Sequence, residues 1–282
     1  MTFNTLLVHI DESKRSETRV QIAAALANQF DAHLIGTAVT GVSRFIYHEG
    51  NIGASDPNLL VHLAFLRERA EKAVQGFHHN IQALGVDSYE SSIANDEAGG
   101  GIGLQSHYAD LVVIGQTDPD ENSPSVSPDF PEYIIMHAGR PVLIIPYAGE
   151  FETLGKRALI AWDGSREATR AISDALPILQ RAELVTVVIF NANVTHDGAN
   201  SHGEEVGADI GLFLARHGLK VEVIRQKTPL DIGNALLSLA HDINADLLVM
   251  GGYGHSRFRE MIMGGATRTI LESMTLPVLM SH

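Results

Sequence analysis

The second half of this sequence is a divergent copy of the first half. Three apolar segments occur in matching order in the two halves: 6–11 with 159–163, 109–115 with 245–251, and 141–143 with 277–279. Two copies of about 140 residues each have the size of ordinary domains. The repeat therefore predicts two domains, 1–150 and 151–282, which meet where polar residues and two glycines follow the first closing strand.

Within each half, apolar runs alternate with stretches of helical spacing. The runs at 109–114, 141–146, 159–161, 184–190 and 245–250 are almost continuously apolar, which is typical of parallel strands that are covered on both faces. Strands and helices in alternation predict an α/β fold of two tandem, doubly wound, open parallel sheets of Rossmann-like type. Ligands of such sheets bind beyond the carboxyl ends of the strands.

Charge and composition exclude several classes of function. The net charge of −14 argues against a nucleic acid or an anionic membrane as a partner bound through a basic surface. The chain has no cysteine, which rules out disulfides and thiolate catalysis. No secretory signal pattern precedes the first apolar run, and no run reaches membrane-spanning length. We therefore expect a cytoplasmic protein.

A glycine-rich segment follows the apolar run 246–250 of the second half. Its small residues are Gly251, Gly252 and Gly254 and then, after nine further residues, Gly264, Gly265, Ala266 and Thr267. Glycine lets the backbone approach an anion closely and adopts positive φ without strain, and a helix start offers free N–H groups. The segment predicts a phosphate site. It matches neither the P-loop nor the dinucleotide fingerprint G-x-G-x-x-G.

The corresponding loop of the first half has lost this chemistry. The spacing from Gly115 to Pro141 equals that from Gly251 to Pro277, so the loops align without gaps. The positions of Gly254, Gly264 and Gly265 are taken by Asp118, Pro128 and Asp129. Carboxylates repel phosphate, and proline has no N–H to donate. We infer that the second half can hold a polyphosphate by this loop and that the first half cannot.

The glycine spacing resembles the nucleotide signature of the universal stress protein family, G-x2-G-x9-G-[ST]. Gly251, Gly254 and Gly264 match its three glycines, and Asp11 and Asp163 match the aspartate that follows the family's opening strand. The resemblance covers essentially the whole length. It implies a tandem member of the family, with both domains in one chain.

The resemblance also implies which residues bind the nucleotide. By position, Ala161, Trp162 and Asp163 would contact the nucleoside, Phe190 would offer backbone groups to adenine, and Met250 would flank the ligand. The phosphates would contact Gly251, Gly254, Gly264, Gly265, Ala266 and Thr267. At Gly265 the family has Ser or Thr, so either the Gly265 N–H or the Thr267 hydroxyl would replace the missing hydroxyl.

The implied function is that of a stress-response protein that binds ATP, or another adenine nucleotide, with Mg²⁺ in its C-terminal domain as a regulatory ligand. The family also implies that the two domains pair through their closing strands, and we expect a homodimer. No P-loop lysine or evident base is present, so the protein is at most a slow ATPase. Two alternatives stay open: an interaction scaffold whose glycines only form turns, and an enzyme that acts on an adenine nucleotide.

Three further features have structural interpretations. The first half carries an insertion around 42–65, interpreted as a longer helix and a surface loop, with a lid or partner-binding arm as the alternative. Ser13 and Ser165 are expected to cap the helices that follow the opening strands. The stretch 196–202 holds two histidines and an aspartate but lacks the spacing of a metal site, so we interpret it as a loop. We predict no metal-ligating and no catalytic residue.

Overall fold

A computed structural model of the chain describes residues 2–42, 57–121, 123, 125–191, 207–254 and 265–282. The chain divides into two compact units, Thr2–Tyr147 and Ala148–His282. The stretch 196–202, Gly264 and most of the first-half insertion lie outside the described residues. The described end of that insertion is helical, because it forms the start of a helix of 27 residues.

The first unit alternates strands and helices as the sequence predicts. Its elements are β1 (Thr5–His9), α1 (Ser16–Phe30), β2 (His33–Val39), α2 (Pro57–Ala83), β3 (Tyr89–Ala94), α3 (Ala98–Ser106), β4 (Leu111–Gly115), α4 (Phe130–His137) and β5 (Val142–Ile145). The strands pair in parallel in the order β3-β2-β1-β4-β5. Because the order reverses between β1 and β4, the sheet is doubly wound and its switch point lies between these strands.

The second unit repeats this arrangement. Its elements are β6 (Arg157–Ala161), α5 (Arg166–Leu179), β7 (Leu184–Phe190), α6 (Ala208–Arg216), β8 (Val221–Gln226), α7 (Ile232–Asp242), β9 (Leu247–Gly251), α8 (Ala266–Ser273) and β10 (Val278–Ser281). The strands are again parallel, in the order β8-β7-β6-β9-β10. The switch point of this sheet lies between β6 and β9.

The apolar strands form the core of each unit. Four residues in each of β1, β4 and β9 are buried, as expected for strands between two helical layers. Helix α1 packs against α2, α3 against α4, and α7 against α8. The predicted fold class is confirmed. Among the described residues, no helix has the length and apolar character needed to cross a bilayer.

The two serines that follow the opening aspartates behave differently. The Ser165 side chain accepts a hydrogen bond from the Ala168 N–H at 3.1 Å and caps α5, as predicted. The prediction for Ser13 is wrong. Helix α1 begins after Arg15 without a side-chain cap, and the Ser13 hydroxyl donates instead to Asp11 at 2.5 Å. The carboxylate of Asp11 is the better acceptor because it is charged.

Candidate functional site

The switch point of the second unit brings together residues that are far apart in the sequence. Ala161 ends β6, and Trp162 follows with its N–H bonded to the Val188 carbonyl at 3.0 Å. Asp163 is exposed, and its Oδ1 accepts the Ser165 N–H at 2.9 Å. The three residues that the family resemblance assigns to the nucleoside therefore lie at or just beyond the carboxyl end of β6.

Two other residues predicted to contact the nucleotide lie on neighbouring strands. Phe190 ends β7 and is half-buried. Met250 is the penultimate residue of β9 and is 5% exposed. Since Met250 is nearly enclosed by protein, it can offer a ligand only a small edge of its side chain, whereas Phe190 lies at the open rim.

Gly251 ends β9 at the point where α5 begins. A Cβ atom at this position would lie 2.6 Å from the backbone nitrogen of Ala168 and 2.8 Å from the Glu167 carbonyl carbon. Such distances are shorter than any real Cβ contact. Helix packing alone therefore requires glycine here, and it brings the first turn of α5 directly against the loop that follows β9.

The turn after Gly251 obtains its left-handed backbone from a non-glycine residue. Tyr253 has φ of 49°, while the described glycines of this loop, Gly251, Gly252 and Gly254, all keep φ outside the left-handed region. The Gly252 N–H donates to the Ser281 carbonyl at 2.9 Å, which extends the pairing of β9 with β10. At Gly251 the glycine serves close approach rather than positive φ.

The loop is also fastened to the start of α8. Gly265 is the N-terminal cap residue of this helix, with no side-chain cap, and is half-buried with Ala266. Thr267 is 3% exposed, and its Oγ1 accepts the Tyr253 N–H at 3.3 Å. By accepting this hydrogen bond, the Thr267 hydroxyl oxygen ties the loop to the start of the helix.

Glu167 is a functional candidate that the sequence reasoning missed. It belongs to the first turn of α5 and is 8% exposed. Its Oε2 lies 3.4 Å from the Cβ position of Gly254 and has no hydrogen-bond partner in the part of the chain that the structure describes. A sequence signal existed, because Glu167 is one helical turn before Ala171 on the buried face of α5.

The switch point of the first unit is filled by a buried arginine. Arg19, in α1, is 3% exposed; its Nε donates to the His9 carbonyl at 2.6 Å and its Nη2 to Asp11 Oδ1 at 2.8 Å. A Cβ atom at Gly115 would lie 2.5 Å from Arg19 Nη1. Counted from the opening aspartates, Arg19 corresponds to Ala171 of the second unit. The second unit has a methyl group where the first has a guanidinium.

Burial and the mutual charges of His9, Asp11 and Arg19 shift the pKa values of His9 and Asp11. Burial lowers the pKa of His9 to about 4; the Asp11 carboxylate opposes this shift and the Arg19 charge adds to it. Burial alone would raise the pKa of Asp11, but the charges of Arg19 and His9 and the hydrogen bond from Ser13 outweigh it and hold that pKa well below its usual range. At neutral pH the cluster is therefore an Asp11–Arg19 ion pair beside a neutral His9.

The acidic loop of the first unit uses its carboxylates internally. Glu121 Oε1 accepts the Lys14 N–H, in the turn after β1, at 3.2 Å. Asp118 Oδ1 accepts the Asp120 N–H at 2.9 Å. These carboxylates occupy backbone donors that a phosphate would need, which supports the interpretation that this loop does not hold a polyphosphate.

Two clefts lie elsewhere in the units. One of about 290 Å³ in the first unit lies between the β1–α1 turn and α2, and its lining includes Asp11, Lys14 and Lys72. The other, in the second unit, lies beside Gly207 and Arg225. Neither lining includes residues 252–254, the described part of the loop that follows β9. Within the described ranges, no group of three potential metal ligands comes together.

The geometry defines the class of protein: two Rossmann-like units, in the second of which the loop after β9 meets the first turns of α5 and α8. Residues 155–282 match the model of the universal stress protein family. A universal stress protein of Synechocystis sp. is 29% identical over 154 residues, which are 52% of this chain and 49% of that protein. The chain thus spans about half the length of this curated relative.

Solved structures extend the match in fold to the first unit. A universal stress protein from Archaeoglobus fulgidus superimposes with a TM-score of 0.72 at 19% identity, covering 98% of this chain and 95% of that one. A protein of unknown function from Pseudomonas aeruginosa gives 0.59 at 15% identity, covering 98% and 92%. Residues 155–282 carry the match to the universal stress protein family, and the first unit repeats the same fold.

Proposed function

We propose that this chain is a stress-response protein whose second unit binds ATP, or another adenine nucleotide, together with Mg²⁺ as a regulatory ligand. One observation carries the proposal: the loop after β9 meets the first turns of both α5 and α8 at the switch point of a parallel sheet. Ligands of doubly wound sheets bind at this point. The N-termini of helices favour anionic groups through their free N–H groups and their dipole.

The nucleoside would lie along the carboxyl ends of β6 and β7. Asp163 is exposed there and keeps Oδ2 available for a ribose hydroxyl, since Oδ1 accepts the Ser165 N–H. Phe190 lies at the rim of the sheet, where its backbone can meet the adenine edge. The phosphates would then reach Gly251, Gly254 and the start of α8, with Gly264 as a sequence-based addition to this set.

The difference between the units supports one nucleotide per chain. In the first unit, Arg19 lies against Gly115 and Glu121 occupies a backbone donor of the β1–α1 turn. In the second unit, Ala171 has no side chain that could reach the corresponding place. We therefore assign the ligand to the second unit alone.

The ligand is proposed as a regulator because no P-loop lysine and no nucleophile–base arrangement accompanies the site. Occupancy would change the surface around Tyr253, whose backbone N–H bonds to Thr267 at the start of α8. Sedimentation velocity with and without nucleotide would test the predicted homodimer and show whether occupancy alters it.

Titration calorimetry of the full chain with Mg-ATP tests the proposal. We expect one site per chain, and Gly254→Asp should weaken binding at least about 100-fold, because it adds a carboxylate beside the phosphates, as Asp118 does in the first unit. Gly76→Asp is the matched control, since Gly76 is exposed in α2 with no atom within 4 Å of its Cβ position. Its affinity should equal that of the wild type.

Three results would contradict this function. An absence of binding heat would favour the interaction scaffold. Wild-type affinity in Gly254→Asp would remove the loop from the site. Steady turnover above about 1 s⁻¹, within the usual range of enzymes, would favour a catalytic role.

A further inference from the structure

The second unit holds a carboxylate at the place where the proposed site would bind phosphate. Glu167 is more than nine-tenths buried, and its Oε2 lies 3.4 Å and its Cδ 3.8 Å from the Cβ position of Gly254. Both atoms therefore face the glycine that the proposed function assigns to phosphate. A bare phosphate at this position would be repelled by the carboxylate.

The Glu167 side chain also lacks a hydrogen-bond partner for one of its oxygens among the described residues. Oε2 is buried and has no hydrogen-bond partner among the residues that the structure describes. Buried carboxylate oxygens are almost always paired, and an orphan one indicates a missing donor or cation. The first turn of α5 favours its negative charge, but the Ser165 side chain already caps the Ala168 N–H, so the helix start does not satisfy Oε2.

We propose that Glu167 binds the divalent cation of a cation–nucleotide complex and so makes the site selective for Mg-ATP over free ATP. This proposal rests on the proposed nucleotide site. Mg²⁺ is commonly held by one or two carboxylates together with the phosphates of the ligand, and it keeps several of its waters. One buried carboxylate beside the phosphate position fits that pattern, and the cation removes the repulsion that a bare phosphate would meet.

The position of Glu167 separates it from the other acidic residue of the site. Asp163 is exposed, is two residues beyond β6 and already accepts the Ser165 N–H. Glu167 is buried against Gly251 and Gly254, on the side of β9. We therefore assign Asp163 to the nucleoside and Glu167 to the cation at the phosphates.

The test compares Mg-ATP with ATP in EDTA, using calorimetry and the fluorescence of Trp162, the single tryptophan. The wild type should bind Mg-ATP at least about tenfold more tightly than free ATP. In Glu167→Gln this ratio should fall to about twofold or less, with free ATP bound more tightly than by the wild type. Glu183→Gln is the matched control, since Glu183 is exposed at the opposite end of β7; it should keep the wild-type ratio.

If Glu167→Gln keeps the wild-type ratio of Mg-ATP affinity to free-ATP affinity, the proposed role of Glu167 is wrong, whereas the proposed nucleotide site is unaffected. An absence of binding by the wild-type chain in both conditions would overturn the nucleotide site and this inference with it. Crystals of the wild-type chain with Mn-ATP provide a second measurement that needs no variant. An anomalous peak about 2.1–2.2 Å from a Glu167 oxygen supports the proposal, and a peak held by phosphates alone contradicts it.

Discussion

The two units share one fold and differ in what lies at the switch point. In the first unit, Arg19 lies against Gly115 and pairs with Asp11, so the charges of these two side chains neutralise each other. In the second unit, Ala171 replaces the arginine, and Glu167 faces Gly254 with an oxygen that has no hydrogen-bond partner among the described residues. Under the proposed function, the first unit closes its copy of the site with its own side chains and the second unit keeps its copy for a ligand.

The same comparison explains the glycines that end β4 and β9. Gly115 makes room for a side chain, the Arg19 guanidinium. Gly251 makes room for backbone, the first turn of α5. The residue type is identical in both units, but the neighbour that requires it differs.

Removal of Arg19 should give the largest effect on stability. In Arg19→Ala the half-buried Asp11 carboxylate loses the buried guanidinium that pairs with it, and breaking a largely buried ion pair costs about 4 kcal/mol. Hydrogen exchange of the β1 amides would measure the loss in the first unit. Arg166→Ala, an exposed change in the first turn of α5, should stay within about 0.5 kcal/mol. A loss below about 1 kcal/mol in Arg19→Ala would show that the pair does not hold the first switch point.

Acidification should weaken the first unit next most strongly. His9 has a pKa of about 4 when folded and 6.5 as its ordinary value, so the unfolded chain binds the proton first as the pH falls. Titration of His9 therefore leaves the free energy of unfolding unchanged well above pH 6.5 and lowers it as the pH falls below that value, by about 3 kcal/mol at pH 4. The difference in unfolding free energy between wild type and His9→Gln, followed from pH 7 to pH 4, isolates this group. A constant difference would contradict the buried neutral histidine.

Alanine substitution of Gly115 and Gly251 should distinguish a glycine that faces a side chain from a glycine that faces backbone. Gly251→Ala should cost about 2 kcal/mol, because α5 must shift to admit a methyl group. Glu167→Ala should not relieve that cost, since the nearest atom is the Ala168 nitrogen. In the first unit, Gly115→Ala should cost much less in an Arg19→Ala background than in the wild type. A double-mutant cycle in each unit measures this coupling; equal coupling in both would contradict the distinction.

The serine caps should give the smallest effect. Ser165→Ala removes the cap of α5 and should cost about 1 kcal/mol in the second unit, measured by urea unfolding followed through Trp162. Ser13→Ala should leave the start of α1 unchanged, because Ser13 does not cap that helix. A loss of exchange protection at the first turn of α1 in Ser13→Ala would contradict this assignment.

The sequence predicts the fold well because burial on both faces leaves a strong signal. Runs such as 184–190 are almost continuously apolar, and the observed β7 has the same bounds. The position of Asp163 beyond an opening strand follows from the same pattern. These features depend on local composition, which a single sequence displays directly.

The contents of the switch points could not be predicted in the same way. An arginine or a glutamate in a helix is normally solvent-exposed, so Arg19 and Glu167 did not stand out. Each lies at helical spacing from buried apolar residues, such as Ile22 and Ala171, which is the signal that was available. Whether such a side chain enters a crevice depends on how its helix packs against the strand, and that packing is a tertiary property.

The most direct test of the account is a crystal structure of the full chain grown with Mg-ATP. The account predicts nucleotide density beside Gly251 and Gly254 in the second unit, and an intact Asp11–Arg19 pair without nucleotide at the switch point of the first unit. An empty crevice in the second unit, or equal occupancy in both units, would contradict it.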